Sequence, residues 1–241
     1  GYGHVAIDRT TGGSVNWSDH RDEPGTLMLR STIRDPHGVC WSATAGGVVR
    51  WTPVPIGGEP NGTVFSPRAK GQQHLSGEDA QAVTCQGDTV WVALRDHGLA
   101  SIIGDQAYDH PPPSHLPHDL LGITVDRTGD VWCTTGNGLL RYTPRTGSWL
   151  HVPVNDGRDF RQLTKCITTL RDGRIAFCAA DHLLLIDPAD YRTMPELPAP
   201  RLVGVSNTWG TLETNAQVAL DLPFQNSAFD AMLTVLQPVG A

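Results

Sequence analysis

Lysine is nearly missing from this chain: Lys70 and Lys165 are the only two among 241 residues. Acidic residues outnumber Lys plus Arg by 25 to 18, the formal net charge is −7, and basic residues nowhere cluster. A protein that neutralises phosphates needs a basic patch or stripe, so nucleic acid is excluded as the expected partner. Long apolar runs are missing too. None approaches the roughly 18 residues of a membrane span, and no membrane contact is expected within this segment. The Cys-x-x-Cys spacing of structural zinc sites does not occur among Cys40, Cys85, Cys133, Cys166 and Cys178. An odd number of thiols leaves at least one unpaired. Cys40, Cys133 and Cys178 lie beside aromatics in strand-like sequence, where a buried thiol behaves as a small hydrophobe; a disulfide stays open, since spacing gives no connectivity. There is no nucleophile elbow, no Gly-rich phosphate loop and no His-Glu-x-x-His. No catalytic residue, metal or cofactor is therefore expected.

What the chain has in quantity is turn formers: 26 glycines and 18 prolines beside 39% hydrophobic residues, a balance that suits a turn-rich all-β protein. A short phrase also recurs four times, with a turn glycine, a strand bearing an aromatic, and a second turn into another strand. It reads Gly38-Val39-Cys40-Trp41 then Gly47-Val48-Val49-Arg50-Trp51, and again Gly87-Asp88-Thr89-Val90-Trp91 then Gly98-Leu99. The third copy is Gly129-Asp130-Val131-Trp132 then Gly138-Leu139-Leu140-Arg141-Tyr142. The fourth is degenerate, Gly173-Arg174-Ile175-Ala176-Phe177 then His182-Leu183-Leu184-Leu185-Ile186, with Phe177 standing for the tryptophan. The aromatics lie 50, 41 and 45 residues apart, the period of a four-stranded propeller blade.

The third copy predicts strands over 122–125, 130–135, 139–143 and 148–152, separated by Asp126-Arg127-Thr128-Gly129, Gly136-Asn137 and Pro144-Arg145-Thr146-Gly147. Asp hydrogen-bonds its own backbone two residues on, Gly tolerates positive φ, and Asn-Gly marks an antiparallel hairpin. One blade cannot bury both faces of its sheet, so the recurring aromatic is expected between stacked blades. The opening Gly3-His4-Val5-Ala6-Ile7 matches the outer half of a blade, which gives about four and a half repeats in residues 1–195. After the proline-spaced stretch Pro195-Glu196-Leu197-Pro198-Ala199-Pro200 the pattern changes, with strands expected at 201–205, 218–222 and 229–236. Residues 196–241 are too few for the roughly 100 of a complete immunoglobulin-like sandwich, so only its start is expected, in a segment of a longer protein.

Residues 123–132 with Asn137-Gly138-Leu139-Leu140-Arg141-Tyr142 resemble the two-component regulator propeller repeat, and residues 196–237 are similar to the opening of the three-Y, immunoglobulin-like module that follows such propellers. The resemblance implies the periplasmic or extracytoplasmic ligand-sensing region of a hybrid two-component histidine kinase, feeding a phosphorelay. It implies a larger propeller than these repeats make, a small-molecule or oligosaccharide ligand, and a homodimer. It transfers no catalytic residue, so this chain is not expected to be an enzyme. Two other classes remain: a propeller lyase, which needs a general base in the funnel, and a non-catalytic interaction scaffold.

Turns between the second and third strands of successive blades line up on one rim. Arg95, Asp96 and His97, Asn137, and Asp181 and His182 occupy them and are the candidate ligand contacts, with the alternative that such residues simply suit tight turns. Three histidines within His110-Pro111-Pro112-Pro113-Ser114-His115-Leu116-Pro117-His118 raise a transition metal as an option. The proline run favours an extended, solvated connection instead.

Overall fold

Short apolar strands punctuated by glycine turns can only zigzag, and this chain does so in four successive sheets. A computed structural model describes residues 10–12, 28–51, 62–152, 163–179 and 182–191 in full, and the backbone alone of Thr52, Asn61 and the strands outside these ranges. β1 (Val5–Ile7) and β2 (Ser14–Asn16) form an antiparallel ribbon. The first blade is β3 (Leu29–Arg34), β4 (Cys40–Thr44), β5 (Gly47–Thr52) and β6 (Asn61–Phe65). The second is β7 (Ala80–Gln86), β8 (Thr89–Leu94), β9 (Gly98–Ile103) and β10 (Gln106–His110), and the third β11 (Leu120–Val125), β12 (Val131–Thr135), β13 (Gly138–Thr143) and β14 (Ser148–Val152). β15 (Leu163–Thr169), β16 (Ile175–Ala179) and β17 (Leu183–Ile186) make the fourth. All are antiparallel meanders, and each blade's first strand packs on the next one's: β3 on β7, β7 on β11, β11 on β15. The chain is an all-β protein with the blade arrangement of a β-propeller.

Stacking explains why the strands read as continuous apolar runs rather than alternating ones. Along β8, Val90, Val92 and Leu94 belong to a core shared with Trp41, Val48 and Phe65 of the first blade. The intervening Trp91 and Ala93 belong to a second core with Leu120, Val131, Cys133, Leu140 and Tyr142 of the third. Side chains alternate across a strand, so a sheet buried on both faces needs an apolar residue at every position. The tryptophans are 5% (Trp41), 5% (Trp91) and 0% (Trp132) exposed, and truncating a buried aromatic of this size costs about 3–5 kcal/mol. Of the five thiols only Cys133 is fully buried, whereas Cys166 is exposed.

The first and third blades share a latch. Asp126 Oδ1 accepts from Thr128 N at 2.7 Å and Asp130 N at 3.1 Å, while Oδ2 accepts the Trp132 indole N–H at 2.9 Å. Asp35 does the same with His37 N (2.9 Å), Val39 N (2.9 Å) and Trp41 Nε1 (3.0 Å). The spacing Asp-x-x-Gly-x-x-Trp lets one carboxylate close the turn and fix the rotamer of the interblade tryptophan, with Gly38 and Gly129 at φ 86° and 90°. The second blade has the shorter turn Gln86-Gly87-Asp88-Thr89, and Trp91 Nε1 is buried there without a hydrogen-bond partner among the described residues. In the fourth, pairing corrects the sequence alignment. Thr168 faces Ala176 as Thr124 faces Trp132, and Phe177 takes the place of Cys133. The latch aspartate is Leu170 in that blade, so both of its partners are replaced together.

The chain divides into two compact units, Gly1–Asp190 and Tyr191–Ala241. The second holds a three-stranded antiparallel sheet in which β18 (Arg201–Asn207) lies between β19 (Gly210–Glu213) and β20 (Asp230–Thr234). The strand expected at 218–222 and the proline-spaced stretch lie outside the described residues.

Candidate functional site at the mouth of the inner strands

Each first strand begins where its second strand ends: Leu29 pairs with Thr44, Ala80 with Leu94, Leu120 with Thr135 and Leu163 with Ala179. The second-to-third-strand turns and the starts of the inner strands therefore share one rim. Every inner strand also breaks register just inside that rim, between Leu29 and Ser31, Ala80 and Ala82, Leu120 and Gly122, and Leu163 and Ile167. A bulge places an unpaired residue and re-aims its side chain. The displaced residues are Arg30, Gln81, Leu121 and the segment Thr164, Lys165, Cys166.

Three of these bulges feed one polar cluster. Arg30 donates from Nη1 to Gln81 Oε1 at 2.9 Å and pairs through Nη2 with Asp79 Oδ1 at 2.5 Å. Arg95 Nε meets the other oxygen, Asp79 Oδ2, at 3.1 Å, and its backbone N–H bonds Asp79 O at 2.9 Å. Lys165 lies within electrostatic range of both guanidiniums and of Asp79 and Asp119. Burial first, then Arg30 and Arg95, push its ammonium below the ordinary lysine range, against the pull of the two carboxylates. The fourth inner strand is drawn in closely. A Cβ on Gly122 would stand 2.4 Å from Lys165 O, so only glycine permits this approach, and Thr134 Oγ1 donates to Thr164 O at 2.8 Å.

Of the rim residues expected from sequence, Arg95 enters this cluster. Its turn holds three residues where those of the first and third blades hold two, and Asp96 takes φ 61° to close it. His97 Nδ1 lies 3.0 Å from Arg95 O, and the ring stands where a side chain on Gly77 would be. Asn137 is exposed, its N–H bonded to Thr135 Oγ1 (3.1 Å) and its carbonyl to His151 Nε2 (3.2 Å). His182 accepts from Ala179 N through its carbonyl at 2.9 Å, and Asp181 lies outside the described residues. Arg30, Asp79, Gln81 and Lys165 were not found from sequence. The available signal was the residue just inside each apolar first strand, and the rarity of lysine.

The proline segment is no solvated tether throughout. Pro112 is buried, close to Gly98. His110 sits in an aromatic group with Trp91 (5.4 Å), and its ring is held at Nδ1 by Tyr142 Oη (3.0 Å) and at Nε2 by Ser101 Oγ (2.8 Å). Burial lowers its pKa, against a smaller upward pull from Asp109. Among the described residues no three His, Cys, Asp or Glu side chains converge as a metal site, nor is any helix long and apolar enough to cross a membrane.

No protein-family model and no curated protein matches the chain. Solved structures do. The extracellular domain assigned to the hybrid two component system BT3049 from B. thetaiotaomicron is similar over 90% of this chain and 28% of its own, with a TM-score of 0.59 and 16% identity. That of BT4673 from the same organism matches over 87% and 33%, with a TM-score of 0.54 and 14% identity. A catalytically inactive virginiamycin B lyase from Staphylococcus aureus, solved with quinupristin, matches over 78% and 61%, with a TM-score of 0.51 and 18% identity. The chain thus spans a third or less of the length of the two sensor domains. At these identities the likeness is one of fold, shared by extracellular sensor domains and lyases alike.

Proposed function

We propose that this chain is the ligand-sensing region of an extracytoplasmic two-component signalling protein, taking a small polar ligand, an oligosaccharide by preference, at the mouth of the inner strands. The observation that carries the reading is the cluster of Arg30, Asp79, Gln81, Arg95 and Lys165. Three separate blades each spend a backbone irregularity to bring a polar side chain to one place. The likeness in fold to extracellular domains of two component systems agrees with it. On this reading residues 196–241 open a three-Y, immunoglobulin-like module, through which binding reaches the partner subunit of a homodimer and a phosphorelay beyond. Asp96, His97, Asn137 and His182 then line the rim around the cluster.

Calorimetric titration with neutral and acidic oligosaccharides tests the proposal. Arg95→Ala should weaken binding about tenfold, the worth of one charge-assisted hydrogen bond; unchanged affinity overturns it. The lyase reading uses the same mouth, with Lys165 as the candidate base. Mass spectrometry of the recovered ligand separates the two. A sensor returns it intact, whereas a lyase returns an unsaturated product.

A further inference from the structure

The fourth blade differs from the others in its thiols. Cys40, Cys85 and Cys133 are distributed one to a sheet, on β4, β7 and β12, whereas Cys166 and Cys178 share the fourth, on β15 and β16. These two strands pair at Leu163↔Ala179 and next at Ile167↔Phe177, so residues 164–166 stand opposite Cys178 alone. One hydroxyl ties the main chains of both cysteines across the gap. Thr164 Oγ1 donates to Cys178 O at 3.2 Å and accepts from Cys166 N at 3.2 Å. The side chains share a face as well. Thr169 turns toward the third blade, donating from Oγ1 to Val125 O at 2.8 Å, and by alternation Ile167 and its partner Phe177 lie on that side. Cys166 and Cys178, one position away on each strand, point to the other side, beside the exposed Leu183 that pairs with Cys178. There the two thiols are hydrogen-bonded to each other, and that bond, ahead of burial, raises the Cys178 pKa. Cys166 is exposed and Cys178 half-buried, and both are free.

We propose that Cys166 and Cys178 are a redox couple that closes to a disulfide and staples the bulged inner strand of the fourth blade to its neighbour. The exposed Cys166 thiolate attacks a disulfide of another molecule, small or protein-borne, and expels one of its sulfurs as a thiolate. Cys178 then gives up its proton and attacks the Cys166 sulfur of the mixed disulfide, which releases the second thiolate. Two thiols become one disulfide here, while the external disulfide takes both electrons and leaves as two thiols. The staple falls where it has most to do. The ladder between β15 and β16 is interrupted at this point, and Leu170 stands where the first and third blades have their latch aspartate. A cross-link over so short a loop stabilises chiefly by restricting the unfolded chain. The couple is independent of any ligand at the mouth.

Peptide mapping tests the couple directly, because trypsin cleaves after Lys165, Arg171 and Arg174 and so puts the two cysteines on separate peptides. The whole chain is incubated in oxidised or in reduced glutathione, the remaining thiols are alkylated in denaturant, and the unreduced digest is weighed. Oxidised glutathione should join residues 166–171 to residues 175–192 and leave Cys40, Cys85 and Cys133 alkylated, and reduced glutathione should reverse the joining. The joined form should melt about 4 °C or more above the reduced one. Cys166→Ser, a change at an exposed position, should lose the joined peptide and the melting difference together. In Cys178→Ser the reaction should stop one step earlier, with glutathione held on Cys166. Separate glutathione adducts on both cysteines, pairing of either with Cys40, Cys85 or Cys133, or two thiols left free overturns the couple. A joined peptide with no rise in melting overturns the staple.

Discussion

The third and fourth blades start from the same strand plan and reach different ends. In the third, Asp126 closes the turn and holds Trp132, and Leu139 and Leu140 are wholly buried. In the fourth, Leu170 and Ala176 replace the latch pair, and Leu183 and Leu185 stand 67% and 47% exposed on the third strand. Yet the fourth delivers Lys165 to the mouth. The difference teaches that latch and site are separable: one rim of the sheet stack fixes how blades sit, and the opposite rim is left to carry polar groups.

The sharpest way to break this comparison is truncation in each blade. Trp132→Ala should cost about 3–5 kcal/mol in denaturant unfolding, while Leu185→Ala, exposed in the fourth blade, should stay within about 0.5 kcal/mol. Comparable losses would mean that the fourth blade is packed like the third.

A smaller effect isolates the latch. Asp126→Ala should cost about 1–3 kcal/mol, since it orphans a buried indole N–H and two turn amides. The same group predicts acid sensitivity. Burial raises the Asp126 pKa, but hydrogen bonds from Thr128, Trp132 and Asp130 outweigh it, and the net shift is downward. Asp35 is lowered by the same balance, with burial opposed by Trp41, Val39 and His37. A carboxylate whose folded pKa lies below its unfolded one stabilises fully above the unfolded value, about 3.9, and that stability is lost as pH falls through the folded value. Thermal midpoints should therefore fall below about pH 4, and Asp126→Ala should flatten that fall; an unchanged slope sinks the latch account.

The smallest effect compares two tryptophans. Trp91→Phe removes an indole N–H that has no partner among the described residues, whereas Trp132→Phe removes one that Asp126 accepts. The second should cost about 1 kcal/mol more than the first in paired unfolding curves.

Much of the fold was legible because turns and alternation are local. In the third blade each strand lies within two residues of its expected bounds, because Asp126, Gly129 and Asn137-Gly138 punctuate it. The fourth misled where residue type was read in place of register. Phe177 looks like the missing tryptophan, but pairing puts Ala176 there. The site was far less legible. Arg95 is readable as a rim-turn residue, but Arg30 and Gln81 are 51 positions apart and meet only because both inner strands slip register at equivalent points. A bulge has no signature in residue type, since it is defined by the partner strand.

His110 carries a last consequence. Its two ring nitrogens are satisfied by one hydroxyl from its own sheet and one from the next, Ser101 and Tyr142. The contact works as an address: the outer strand of the second blade recognises the third and would find no Tyr142 hydroxyl on a duplicate of itself. These blades are keyed units in a set order, so an array built by repeating one of them would lose its neighbours' recognition while keeping its sequence period.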